Sequence, residues 1–168
     1  MNLNCPLCNS TATLFCEKPR HLFYKCNTCE GIFRPKHTFL TAKEEKEHYE
    51  KHNNDVFDER YQAFVSPIVD AILQDFSTEA KGLDFGSGTG PVIAKMLTDK
   101  GFQVQNYDLF FANEVSLLKE KYNYVSCCEV MEHFYQPYKE FELLKSLLLP
   151  KGKLYCKTAV YNNQKPFE

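Results

Sequence analysis

Three features of the sequence predict an α/β fold, a parallel sheet flanked by helices, with a small metal-stabilised ribbon in front of it. Two CxxC pairs, Cys5-Pro-Leu-Cys8 and Cys26-Asn-Thr-Cys29, stand 17 residues apart. Three glycines then crowd into the five positions Gly86-Ser87-Gly88-Thr89-Gly90, directly behind the apolar run Leu83-Asp84-Phe85. From there strand-like and helical runs alternate to the end, and two strands finish on an acid, Asp108 and Glu129. That alternation is the pattern of a parallel sheet with helical crossovers.

Bulk composition is that of a globular chain: 168 residues, 43% hydrophobic and 25% charged, enough for one ordinary domain or a small one joined to a modest one. Net charge is -2 and the sequence pI about 6.2. Neither the first sixty residues nor the rest carries a marked excess of either sign, so no basic domain for nucleic acid or anionic lipid is expected. The start, MNLNCPLCNS, lacks the cationic and apolar blocks of a secretory signal. No apolar run approaches the roughly 18 residues that cross a bilayer, so no membrane partner is expected. Eight cysteines in that context indicate a reducing, cytoplasmic compartment, with thiols as ligands or buried groups.

The paired CxxC turns each aim two thiolates at one point, and together they complete a tetrahedral sulfur site that suits zinc. Iron takes the same ligand set and stays open as an alternative. Between the pairs, TATLFCEKPRHLFYK contains two short β-rich runs around a Lys-Pro-Arg turn, as a zinc ribbon requires. About 35 residues bury too little core to fold alone, so the metal supplies much of the folding energy. Cys5, Cys8, Cys26 and Cys29 are the expected ligands. Cys16 is off the spacing and reads as a buried thiol; Cys127, Cys128 and Cys156 lie in apolar runs and read as core.

From Thr41 the pattern turns helical. Thr41 at N-cap and Glu44 at N3 form a capping box that opens a charged run, read as a solvated connector. His48 and His52 share a helical face there without a third ligand in view. Farther on, Ser66 is the expected N-cap and Pro67 the first residue of a helix carrying Ile68, Ala71, Ile72 and Phe76 as one apolar stripe.

The glycines select among cofactors. After Gly88 come Thr89, Gly90 and Pro91, so the lysine of a phosphate-binding P-loop is missing. A dinucleotide fingerprint would need Gly or Ala where Pro91 stands. What remains is Asp-x-Gly-x-Gly-x-Gly over Asp84 to Gly90, between a strand and the helical run PVIAKMLTDKG, which Gly101 stops. Glycines let backbone approach a bulky ligand and take positive φ, and Asp84 can meet an ammonium group directly or through water. Asp108, at the tip of the second strand, can accept ribose hydroxyls.

This stretch resembles the nucleotide loop of class I S-adenosylmethionine-dependent methyltransferases. The progression EVMEHF to LLPKGKL resembles the fourth strand, fourth helix and fifth strand of the ubiquinone-biosynthesis type. The resemblance spans Leu83 to about Thr158. It implies a Rossmann-like sheet and S-adenosylmethionine as cofactor, contacted by Asp84, Phe85, Gly86, Ser87, Gly88, Gly90, Asp108, Leu109 and Glu129. It also implies Glu132 and His133 at the position facing the methyl group, with histidine's ordinary pKa near 6.5 suiting a base. The expected division is a zinc ribbon at 1–38, a helical connector at 39–78 and the cofactor-binding domain at 79–168.

Two departures from the family follow. About twenty residues separate Asp108 from Glu129, too few for a complete helix and third strand, so FFANEVSLLKEKYN is expected as a loop or short helix. Phe110 or Phe111 then remains to pack on the adenine. The sequence also stops after the fifth strand, where the family has two more; the expectation is an incomplete, truncated sheet with a bare edge that makes a homodimer plausible. The acceptor expected is a small molecule such as a sugar or quinol-like compound, with the ribbon closing one side of its site. The alternatives are an RNA methyltransferase using the ribbon to bind RNA, a non-catalytic ribbon and cofactor-binding fragment, and an oxidoreductase binding NAD.

Overall fold

A computed structural model describes residues 3–19, 21–51, 55–162 and 167. The amino-terminal part is an antiparallel sheet of β1 (Leu3–Asn4), β2 (Thr11–Lys18), β3 (His21–Cys26) and β4 (Ile32–Phe33), in that spatial order. Its own core is slight: Ala12, Tyr24, Cys5 and Cys26 are buried, and Tyr24 stacks on Phe33 at 6.2 Å. The β2–β3 register slips between Leu14 and Cys16. The extra residue, Phe15, joins Phe23, Tyr161 and Phe167 in a set of edge-on ring contacts. Residues from the far end of the chain thus pack on the ribbon's back.

The helix α1 (Ala42–Tyr49) opens on the expected capping box, with Glu44 N–H donating to Thr41 Oγ1 and Thr41 N–H to Glu44 Oε2. Helix α2 (Glu59–Asp75) starts eight residues before the predicted Ser66–Pro67 boundary, capped by Asp58, whose carboxylate accepts from Arg60 N–H. Pro67 lies inside it. The missing proline N–H would strand the carbonyl of Ala63, four residues back; the Ser66 hydroxyl donates to that carbonyl at 3.0 Å instead. Ser66 thus repairs a helix instead of beginning one. The pairing of His48 with His52 lies partly outside the described residues.

The second sheet contains β5 (Lys81–Phe85), followed by α3 (Val92–Thr98), β6 (Gln103–Tyr107), β7 (Tyr122–Cys128), α4 (Pro137–Ser146) and β8 (Leu148–Lys157). All four strands are parallel, in the order β6-β5-β7-β8. Between β6 and β7 the described chain has one 3-10 turn, Val115–Lys119, in place of a helix and third strand. The sheet is covered on both faces. Val65, Ile68, Val69 and Ile72 of α2 pack with Val92, Ile93 and Leu97 and with Tyr124 of β7 on one side; Leu144 and Leu147 pack with Leu83, Val125 and Cys127 on the other. Gly82 is needed for this: a Cβ there would lie 2.1 Å from the Tyr124 ring.

Strand β8 starts at Leu148 and carries an irregularity over Pro150–Gly152, where Lys151 takes φ +66°. Of the three cysteines read as core, Cys127 is buried, Cys128 is half-buried, and Cys156, its neighbour Cys127's register partner on β8, is exposed. Cys16 is half-buried.

Candidate functional site

The four cysteines of the two CxxC turns come together at the end of the ribbon. Their sulfurs all lie within 4.8 Å of one another, with Cys5 to Cys29 at 3.6 Å and Cys8 to Cys26 at 3.4 Å. A tetrahedral zinc with ~2.3 Å bonds needs sulfurs ~3.8 Å apart, so the set fits that ion. The Cys26 sulfur accepts from the amides of Thr28 and Cys29, each at 3.4 Å, and those amides lower its pKa toward the thiolate a metal needs. Cys16 is not in the cluster.

The second centre follows from topology. The chain leaves β5 outward to β6, then crosses back to β7 on the other side of β5. In an open parallel sheet that reversal opens a crevice beyond the carboxyl ends of the strands. The loops after β5, β6 and β7 meet there and line a chamber of about 690 Å³, within the ~300–1,000 Å³ usual for small-molecule sites. Phe85, Gly86, Ser87, Gly88, Asp108, Leu109, Glu129, Glu132 and His133 all line it.

Gly86 holds its loop in place by what it lacks. It sits at φ +75°, and a Cβ would lie 2.4 Å from Val130 Cγ2. The loop is tied to the second strand through Asp108, which is 9% exposed. Its Oδ2 accepts from Gly88 N–H at 2.9 Å, and its Oδ1 accepts from the amides of Phe110 and Phe111 at 2.8 and 3.1 Å. The same acid therefore forms its own turn and braces the glycine loop.

Asp84 and Gly90 do not line the chamber; they border an adjoining void of about 20 Å³, which shares Tyr61, Gly86, Ser87 and Cys128 with it. That void has room for about one water. Asp84 is buried, and burial raises its carboxyl to about 6, against hydrogen bonds from Ser126 Oγ, at 2.8 Å, and from the Ala94 amide. Glu129, at φ +53°, is raised by burial and then by its neighbour Glu132.

The sequence reading missed the wall opposite the glycines. Tyr61 and Phe64 of α2, Glu45 and Tyr49 of α1, Phe134 and Tyr135 after β7, and Glu140 and Leu143 of α4 are part of the lining. Tyr49 meets His133 edge-on at 5.7 Å and Phe110 at 6.3 Å. The Tyr49 hydroxyl donates to Glu45 Oε1 at 3.2 Å; that of Tyr135 lies 3.0 Å from Glu45 Oε2 and 2.6 Å from the Leu40 carbonyl. The only sequence signal was Tyr49 as the lone aromatic of the charged run, one turn after Glu45.

Comparison with known proteins adds one finding. A family model described as "Methyltransferase domain" matches residues 57–166. The search of curated proteins finds no match. Among the described residues, no helix is long and apolar enough to cross a membrane.

Proposed function

The chain belongs to the methyltransferase-domain family, and on that premise we propose that it transfers a methyl group from S-adenosylmethionine to a small molecule. S-adenosylmethionine, when bound, supplies an electrophilic methyl group on a positively charged sulfur. The observation that carries the reading is the meeting, in one chamber, of the glycine loop, Asp108 and the 129–133 segment at the point where the sheet order reverses.

In this reading the backbone at Gly86 and Gly88 lies against the adenosyl group, and Asp108 accepts from ribose hydroxyls with the lone pair its loop contacts leave. Leu109, Phe110 and Phe111 supply an apolar surface for the base. Asp84 acts through a water in the adjoining void on the ligand's ammonium group. Glu129 shapes the pocket. The chain's remaining task is alignment of the acceptor atom with the methyl carbon, worth up to about 7–11 kcal/mol in well-oriented intramolecular reactions. Glu132 and His133 are the groups able to take a proton from an acceptor atom at this end. The cysteine cluster would hold zinc as a folding element and takes no part in the chemistry. The division into a ribbon at 1–38, a connector at 39–78 and a catalytic domain at 79–168 is part of the same proposal, as is kinship with the ubiquinone-biosynthesis type.

Calorimetric titration of the whole chain with S-adenosylhomocysteine and, separately, NAD tests it. Saturable binding of the thioether and none of the dinucleotide is expected; the opposite order would make the chamber a dinucleotide site.

A further inference from the structure

The charge and hydrogen-bonding inventory of the chamber's outer wall names an acceptor class, on the footing of the methyl-transfer reading above. The Tyr49 hydroxyl donates to Glu45 Oε1, and the single proton of the Tyr135 hydroxyl is taken up between the Leu40 carbonyl, at 2.6 Å, and Glu45 Oε2, at 3.0 Å. A phenol that donates to a carboxylate offers an incoming molecule only its oxygen lone pairs. Glu129 and Glu132 add further acceptors, and the described lining contains no lysine or arginine. His133 is its only basic side chain. Outside the lining, the Lys157 ammonium is engaged over the Phe64 ring, 3.0 Å from its centre. Around these groups the walls are aromatic: Tyr49, Phe110, Phe134 and Tyr135.

A wall that accepts hydrogen bonds, carries negative charge and is faced with π-systems favours a ligand that donates hydrogen bonds and carries positive charge. It disfavours carboxylates and phosphates, which would add acceptors and like charge. We infer that the methyl acceptor is a primary or secondary amine on an apolar frame, methylated on nitrogen. The amine arrives protonated and gives one proton to His133, which passes it to solvent. The freed nitrogen lone pair forms the new N–C bond as the C–S bond breaks, and the C–S electron pair stays on sulfur as the neutral thioether. The product leaves as a methylated ammonium ion, with one proton released overall.

Three probes of one shape separate this class from others: phenethylamine, 2-phenylethanol and phenylacetate, titrated calorimetrically into the whole chain with and without saturating S-adenosylhomocysteine. The amine is expected to bind about tenfold tighter than the alcohol, the size of one charge-assisted hydrogen bond, and phenylacetate not to bind. Glu132→Gln should remove most of the amine's advantage while leaving the thioether's affinity and the melting temperature in place. Equal or tighter binding of phenylacetate, an amine preference unchanged in Glu132→Gln, or failure of all three probes to bind would overturn the inference. Failure of S-adenosylhomocysteine to bind would instead strike the methyl-transfer reading, and the probe order on the ligand-free chain would still decide the acceptor class.

Discussion

Asp84→Asn is expected to stabilise the ligand-free protein at neutral pH and to flatten part of its pH profile. Burial lifts the Asp84 carboxyl from 3.8 to about 6, a gap worth about 3 kcal/mol. Because the folded chain holds this proton more tightly than the unfolded chain, the contribution is fully favourable to folding below pH ~4. It is lost as pH rises through about 6, after which the folded protein carries an ionised, desolvated carboxylate. Asparagine carries no such charge, but it weakens the hydrogen bonds from Ser126 and Ala94 by about 1 kcal/mol. The variant should therefore be about 1 kcal/mol less stable than wild type near pH 4 and about 2 kcal/mol more stable at pH 8. Urea unfolding at a series of pH values, followed by tyrosine fluorescence since the chain has no tryptophan, measures both. Protonation of the cysteine cluster is common to the two proteins and cancels in their difference. Parallel profiles between pH 4 and 8 would refute the reasoning, because they would mean that Asp84 has the same proton affinity folded and unfolded.

Three further substitutions test other parts of the fold. Gly86→Ala combines an unfavourable backbone angle, about 1–2 kcal/mol, with a Cβ forced into Val130, about 1–3 kcal/mol. A loss of about 2–5 kcal/mol in urea unfolding is expected, together with at least tenfold weaker S-adenosylhomocysteine binding; a variant within 1 kcal/mol that binds normally would contradict the packing. Tyr124→Phe removes a buried hydroxyl without a hydrogen-bond partner among the described residues and should raise stability by about 1 kcal/mol, whereas a loss of that size would mean the hydroxyl is satisfied by water. Metal analysis should find one zinc per chain, and Cys26→Ala should abolish it and the ribbon's β-sheet circular dichroism; retention of both would show that the ribbon folds without metal.

The cysteine cluster and the glycine loop were both legible in the sequence, for a shared reason. Each is built from a short local pattern whose chemistry depends on spacing: two CxxC turns must each present two sulfurs together, and a strand-turn-helix with Gly86 and Gly88 must bend where it does. The capping box of α1 was readable for the same reason. The start of α2 was not, because Ser66-Pro67 is a strong local start signal, and only the hydroxyl-to-carbonyl bond to Ala63 shows how a helix runs through it.

The chamber's far wall was out of reach of any local pattern. Glu45 and Tyr135 are 90 residues apart and meet only because α1 folds over the segment after β7. Asp84 likewise reads as an acid at a strand end from sequence, and only the register against β7 sets it beside Ser126. Sequence by itself determined the order of most elements, the pairing of the four cysteines and the glycine turn, since these rest on neighbours along the chain. Tertiary structure alone decided which side chains face the chamber and which charges stand together, because strand order and helix docking set those distances.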